Sequence, residues 1–460
     1  MHKSKVAVQL ISSGMLPEDT IMLGEAYLKQ WHISNSVSIV LRFGTFRKTV
    51  KIIPVPKYDG MRINQSLARQ MGILSSTTLR VNYDSASTTL RLGPLIGVLI
   101  SRDYPSTPDK PFGTITMFCK ELADGCATQG AHVYFFTPNH IAGSNDKHID
   151  GWTFSNGWKK AKLPLPDIVN NRLTSRKLES KPSVQQFFKE MKSSHHASVF
   201  NEKFLEKIEV FDALKKDPGV SRYLPESHTL RNYTTLKSMC SRYSNVFLKP
   251  SKGSLGKGII RVTRQEGDSY QAHFTTGTGT RKQVYPNLVK LFSNISTKMK
   301  TIKYQAQQGL TLIEIQKRPV DFRAVVQKNA LGKWALTSVV ARTASSQHFV
   351  SNLARGGTLS TVSEAVSRSN IFAGKEGAAK RLRTAALTIA EGIDKHIPAH
   401  FGELGIDLAL DTSGRVWLLE VNSKPSKSDN TPLNQDNDSD NKIRPSVRNV
   451  IQYSRFLSGF

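Results

Sequence analysis

At 460 residues, 38% hydrophobic and 22% charged, the chain has the composition of a folded protein of about two to four domains. No apolar run approaches the roughly 20 residues of a membrane-spanning helix, and three cysteines without metal-ligand spacing argue against a disulfide framework or a zinc site, leaving reduced thiols as the expectation. An excess of 64 Lys+Arg over 36 Asp+Glu, a net charge of +28, favours anionic partners such as nucleotides, nucleic acids or acidic polymers, although a solvated basic surface accounts for it equally well.

The first stretch, MHKSKVAVQLISSGMLPED, has an apolar patch too brief for a secretory signal, so a cytoplasmic location is expected. From Val6 to about Arg91, alternating runs such as SVSIVLRF, RKTVKIIPV and STTLRLG are separated by Gly, Pro, Asn and Asp, which predicts a small β-rich domain over residues 1–91. At GPLIGVLI the pattern becomes a buried strand, followed by a helical TITMFCKELADGCATQG and a second strand, AHVYFFTP. This βαβ unit opens an α/β module over residues 92–180, and residues 181–460 are expected to form a third unit. Within it, VQQFFKEM and EKFLEKIEVFDALKKDPG read as helices, with Phe204, Ile208, Phe211 and Leu214 at helical spacing and Pro218-Gly219 as the stop.

The segment FLKPSKGSLGKGIIRV combines a lysine, Lys249, with closely spaced glycines. It lacks the G-x-x-x-x-G-K-[ST] order of a P-loop, and the β-branched IIRV that follows favours strand over helix. What remains is strand, loop, strand: either a glycine-rich flap able to close its N–H groups over a triphosphate beside Lys249, or an exposed hairpin turn. Farther on, FRAVVQ and WALTSVVAR predict a hairpin with Arg323 and Arg342 at its outer ends. Arginine suits fixed recognition of phosphate or carboxylate, though singly each is more often a surface ion-pair partner. A helical stripe of Leu382, Ala386, Ile389 and Ile393 reads as core.

In GELGIDLALDTSGRVWLLEVNSKP two strand-like runs flank a Thr-Ser-Gly turn. If Asp411 and Val416 bracket the loop, Asp407 lies opposite Glu420, with Asn422 on the same face two residues on. Opposed carboxylates about 5 Å apart repel by roughly 3 kcal/mol at an effective dielectric near 20, a sign that a divalent cation reverses. Two carboxylates and an amide oxygen suit Mg²⁺. A surface hairpin in another register, with the acids solvated, is the alternative. The polar stretch from Ser426 to Lys442 is expected to be a mobile loop.

Lysine, strand, glycine-rich flap, hinge strand and a D…E-x-N hairpin follow one another as in the ATP-grasp superfamily. More narrowly, NNRLTSRKLE, FNEKFLEK, YQAQQGL, DFRAVVQKNALGKW, SNLARGG and GIDLALDTSGRVWLLEVNSKP resemble the YheC/YheD endospore coat-associated family over nearly the whole chain. The resemblance implies an α+β ATP-grasp fold, two α+β subdomains clasping ATP, preceded by the β-rich domain and a pre-ATP-grasp α/β unit. It implies ATP and Mg²⁺ as cofactors. Lys207 and Lys249 would contact phosphates, and Gly253, Ser254, Leu255, Gly256, Lys257 and Gly258 would form the flap. Gln307, Gln308, Gly309 and Leu310 would meet adenine, largely through backbone, and Glu314 would serve the ribose, because Gln308 stands where many ATP-grasp ligases carry glutamate. Asp407, Glu420 and Asn422 match the Mg²⁺ ligands, while Arg323, Arg342 and Asn352 match positions facing the γ-phosphate or acceptor.

Enzymes of this kind activate a carboxylate as an acyl phosphate for attack by an amine, thiol or similar nucleophile. The leading expectation is therefore an ATP-dependent ligase acting on an acidic or envelope-derived acceptor. The other is a non-catalytic ATP-binding structural or interaction protein of the spore coat, with coat proteins as partners. Nucleic acid is not expected as a specific partner, since no aromatic-and-basic motif of the usual binding modules is present.

Overall fold

The computed structural model describes residues 3–34, 38–141, 147–253, 256–275, 279–344, 357–427 and 443–460. Among them, seven strands between Lys3 and Gly93 close into a barrel. The alternation that marked these runs places every second side chain inside: Ile39, Leu41 and Phe43 are buried while the residues between them are partly exposed. Two short helices, Glu25–Trp31 and Gln65–Gln70, interrupt the expected all-β stretch. The second is started by Asn64, whose side chain accepts from Ser66 N at 2.6 Å. Three of the barrel's pairings are parallel, between strands distant in sequence.

A six-stranded sheet follows, with Leu95–Leu99 and His132–Phe136 parallel across the helix Thr116–Gln129, as the βαβ pattern requires. Its far edge is Ser198–Phe200. The barrel and this sheet share a core in which Leu41, Phe43 and Leu92 meet Tyr134, Phe136 and Leu163. On its other face the last helix, Pro445–Ser458, packs Val447, Val450 and Ile451 against Phe118 and Leu122. The chain thus returns at its end to cover an early sheet.

Two further sheets frame the site. One is antiparallel, in the order Ser227–Leu230, Tyr304–Gln308, Asn245–Pro250, Ile260–Arg264, Tyr270–Thr275 and Thr280–Tyr285. The other runs Thr358–Ser360, Trp334–Thr343, Arg318–Lys328, Glu403–Leu410 and Val416–Asn422. The helix Ala378–His396 backs the second, and Leu382, Ala386, Ile389 and Ile393 are all fully buried.

Three local expectations are corrected. Phe204 is not on the helical stripe, because the helix begins at Lys207. The Phe204 N–H donates instead to Glu179 Oε1 at 2.9 Å, and the Arg176 and Lys424 cations both lie against its ring, tertiary contacts that override the periodicity. Pro218-Gly219 does not simply end a helix: Asp217 caps a short new one, Pro218–Ser221, with proline at a first-turn position that lacks an internal acceptor anyway. Arg323 is mid-strand rather than at an outer end, since its strand starts at Arg318. Residues 428–442, most of the expected mobile loop, lie outside the described residues.

Candidate active site

The D…E-x-N hairpin pairs Glu403–Leu410 with Val416–Asn422, and Asp407 does lie opposite Glu420. The route differs from the expected one. Leu410, not Asp411, faces Val416, because the Asp411 side chain caps the turn by accepting from Ser413 N, Arg415 N and Trp417 Nε1. A straight ladder from that register would put Leu419 opposite Asp407. A bulge between Asp407 and Leu408 absorbs the extra residue and restores Glu420 to the facing position.

The neighbouring strands extend this pair into a ladder of charge. Arg323 is the register partner of Asp407 and Asp321 that of Arg342. Asp407 accepts from Arg323 Nε and, at 3.2 Å, from Nη2, and also pairs with Arg342 Nη2 at 3.1 Å. Arg342 in turn donates from Nε and Nη2 to the two oxygens of Asp321, at 2.6 and 2.8 Å. Burial opposes ionisation of Asp407, but Arg323 and Arg342 outweigh it and hold the carboxyl below its ordinary range. Burial likewise works against the Arg342 charge, and Asp407 and Asp321 more than compensate, raising its pKa. Glu420 pairs with Lys207 at 3.0 Å.

The opposite wall comes from the first sheet. The strands Asn245–Pro250 and Ile260–Arg264 are antiparallel, so the glycine-rich segment does join a strand to a strand. Gly256 and Gly258 take φ values of 67° and 72°, which favour glycine. Lys207 Nζ donates to Gly253 O at 2.6 Å, tying the flap to the floor that carries Glu420. Lys249 donates to Gln307 Oε1, and Gln307 Nε2 donates to Ser227 Oγ at 3.0 Å, so the hinge glutamine orients the lysine. Burial pulls the Lys249 ammonium down to about 8 despite the opposing field of Glu420.

Gly309 N donates to Asn245 O at 2.9 Å, and a Cβ there would come within 2.6 Å of that same oxygen. Gly309→Ala is therefore expected to push the hinge away from Asn245 and cost about 1–3 kcal/mol. A thermal melt at the wild-type temperature would refute this.

Between the walls lies a cavity of about 150 Å³ lined by Lys207, Lys249, Arg342, Asp321, Asp407 and Glu420, with Phe247, Ile259, Leu310, Leu312 and Leu419 as its apolar side. Gly256, Gln307 and Gln308 also line it. It is smaller than the ~300–1,000 Å³ of small-molecule sites. Other expected residues stand apart. Glu314 is off the wall, its backbone tied to Asn370. Lys257 is exposed on the flap, Asn422 faces Gly405 at the strand end, and Arg323 reaches the site through Asp407. Ser254, Leu255 and Asn352 lie outside the described residues. Leu310 lines the cavity as expected, whereas Asp321 and the apolar Phe247, Ile259, Leu312 and Leu419 were not anticipated; Asp321 precedes Arg323 by two positions in a strand and so shares its face, a signal the sequence carries.

Among the described residues no three His, Cys, Asp or Glu side chains cluster as a ready metal site. The oxygen donors of Asp407 and Glu420, register partners that both line the cavity, are of the hard type that a divalent cation takes together with phosphate and water.

A family model described as YheC/D-like ATP-grasp matches residues 196–457. The chain is 30% identical over 341 residues to the endospore coat-associated protein YheD of Bacillus subtilis (strain 168), covering 74% of each. It is 23% identical over 324 residues to YheC of the same organism, covering 67% of this chain and 85% of that protein. Among solved structures, the VanG D-Ala:D-Ser ligase of Enterococcus faecalis is similar with a TM-score of 0.44 and 12% identity, covering 80% of this chain and 99% of that one. The chain belongs to the YheC/D-like ATP-grasp family, and its α+β fold is that of the family.

Proposed function

We propose that the chain binds ATP with Mg²⁺ between its two sheets and uses the γ-phosphoryl group to activate a carboxylate for attack by an amine, thiol or similar nucleophile. The observation that carries this reading is the convergence of Lys207, Lys249 and Arg342 with Asp407 and Glu420 on one cavity that also has an apolar wall. Adenine suits that wall, and the hinge backbone beside it supplies polar edges. Asp407, Glu420 and Asn422 would hold magnesium, which when bound neutralises phosphoryl oxygens as charge shifts toward the leaving ADP.

The chain's own groups do the rest. Lys207 and Lys249 exchange their present oxygen partners for phosphates, and Arg342 faces the γ-phosphoryl group from the opposite wall. The acceptor carboxylate oxygen attacks phosphorus as the bridging bond to ADP breaks, and the nucleophile then attacks the acyl carbon with release of inorganic phosphate. The flap over Gly256 excludes the water that would hydrolyse the acyl phosphate. No side-chain nucleophile is required. The basic excess would help to hold an anionic acceptor.

The test is calorimetric titration of ATP with and without Mg²⁺, then ADP release across amino acids and acidic peptides. Mg²⁺-dependent binding with release stimulated by one acceptor class supports the ligase. Binding without stimulated release favours the second reading, a non-catalytic nucleotide-binding coat component, which the coat association in the names of YheD and YheC supports. Absence of binding sinks both.

The same titration has an expected pH dependence. Lys249 is charged below its lowered pKa of about 8 and neutral above it, so ATP affinity should hold below about pH 8 and weaken as pH rises through it. Calorimetry between about pH 7 and 9.5 reads the slope, which Lys249→Met should flatten.

A further inference from the structure

Asp407 is contested. On the proposed function it is a metal ligand, yet two guanidinium groups already claim it, Arg323 through Nε and Nη2 and Arg342 through Nη2. The two arginines are not equivalent. Arg342 has a second carboxylate, Asp321, gripping its Nε–Nη2 edge at 2.6 and 2.8 Å, closer than the 3.1 Å of its contact with Asp407. That bidentate grip fixes the guanidinium plane, because both parallel N–H groups on one edge are engaged. It also keeps the buried charge compensated when Asp407 turns to another cation.

We propose that Asp321 is a positioning residue that holds Arg342 in the cavity wall by a two-point grip and limits its pairing with Asp407 to the single, longer Nη2 contact, so that the carboxylate is available to the divalent cation. The inference rests on the nucleotide-binding reading above and adds to it a residue and a task. Without Asp321, the buried Arg342 charge draws onto Asp407, the other carboxylate it pairs with. Metal and guanidinium then compete for the same oxygens. With Asp321 present, Arg342 keeps a partner throughout and presents its remaining N–H groups to the cavity it lines.

The backbone favours this division. Asp321 and Arg342 are direct register partners on adjacent strands, so their pairing needs no adjustment of the sheet. Arg342 and Asp407 stand on strands separated by the one that carries Asp321 and Arg323. The nearer partner in the sheet is also the one with the shorter, two-point contact.

The experiment measures the Mg²⁺ concentration giving half-maximal binding of a non-hydrolysable ATP analogue, at saturating analogue, in wild type, Asp321→Asn and Arg342→Gln. Asp321→Asn is expected to raise that concentration roughly ten-fold, the size of an ordinary coupling between two competing ligands. Arg342→Gln is expected to lower it, since a cation competing for Asp407 is gone. Damage to the fold from breaking one ion pair would move both variants the same way, so opposite signs are the signature. No change in Asp321→Asn, or a rise in both variants, overturns the proposal. If Asp321→Asn does not fold, Arg342→Gln decides alone: a fall supports the proposal, and a rise or no change overturns it. Wild type that binds the analogue without any Mg²⁺ requirement rejects the metal-site reading itself, a result seen before any variant is compared.

Discussion

Asp407→Ala is expected to cost about 3–5 kcal/mol of folding stability and to abolish Mg²⁺-dependent ATP binding. The size follows from what the carboxylate compensates. Arg323 and Arg342 both lean on it, and the side chains of Asp407 and Arg342 are only 12% and 7% exposed. Deleting a buried partner leaves the surviving charge desolvated, which costs far more than the intact pair contributes. Arg342 retains Asp321, so the larger share of the loss falls on Arg323. Because the two arginines hold the Asp407 carboxyl below its ordinary pKa, its contribution is present at neutral pH and fades only as pH falls through the lowered value. Urea unfolding monitored by circular dichroism reads the loss. A decrease under about 1 kcal/mol would show that the arginines find compensation elsewhere and that Asp407 is not their keystone.

The features legible in the sequence are those written in short-range pattern. Alternation marked the strands of the first domain, β-branched composition and turn residues marked the strands that flank the flap and the hairpin that carries Asp407 and Glu420, and the 3.6-residue stripe marked the helix Ala378–His396. What escaped depends on residues far apart in the chain. Phe204 satisfies helical spacing but gives its N–H to Glu179, 25 positions earlier. The parallel pairings that close the barrel and the return of the last helix to an early sheet leave no mark in any local window. The Asp407 and Glu420 pairing is instructive because two differences cancel. The Asp411 cap shifts the turn by one residue, and the bulge at Leu419 shifts it back. Such a bulge is invisible to periodicity, since it breaks the period-2 rule on which the reading depends. Asp321 could have been found from its spacing to Arg323, but its partner Arg342 lies across a hairpin loop whose register the sequence leaves open.

Glu420→Ala separates binding from stability where Asp407→Ala does not. The Glu420 side chain is 25% exposed and its ion-pair partner is a single lysine, Lys207, which also donates to Gly253 O. The surviving Lys207 is only 9% exposed but keeps Gly253 O as a partner, so the stability loss should be about 1–3 kcal/mol, smaller than for Asp407→Ala. The nucleotide site should suffer much more. On the proposed function, loss of this carboxylate removes a hard oxygen ligand and leaves the Lys207 charge unopposed beside the remaining donors, repelling the cation they would hold. Partners one shell farther from a metal already change affinity by about 10- to 100-fold, so loss of a ligand should weaken Mg²⁺-dependent ATP binding by roughly a hundred-fold or more. Metal-free nucleotide binding should change little or strengthen, because Lys207 then turns wholly to phosphate. Calorimetry with and without Mg²⁺ distinguishes the two effects within one variant. Equal loss in both conditions would point to a misfolded floor instead of a missing ligand, and unchanged Mg²⁺-dependent binding would remove Glu420, and with it the hairpin, from the metal site.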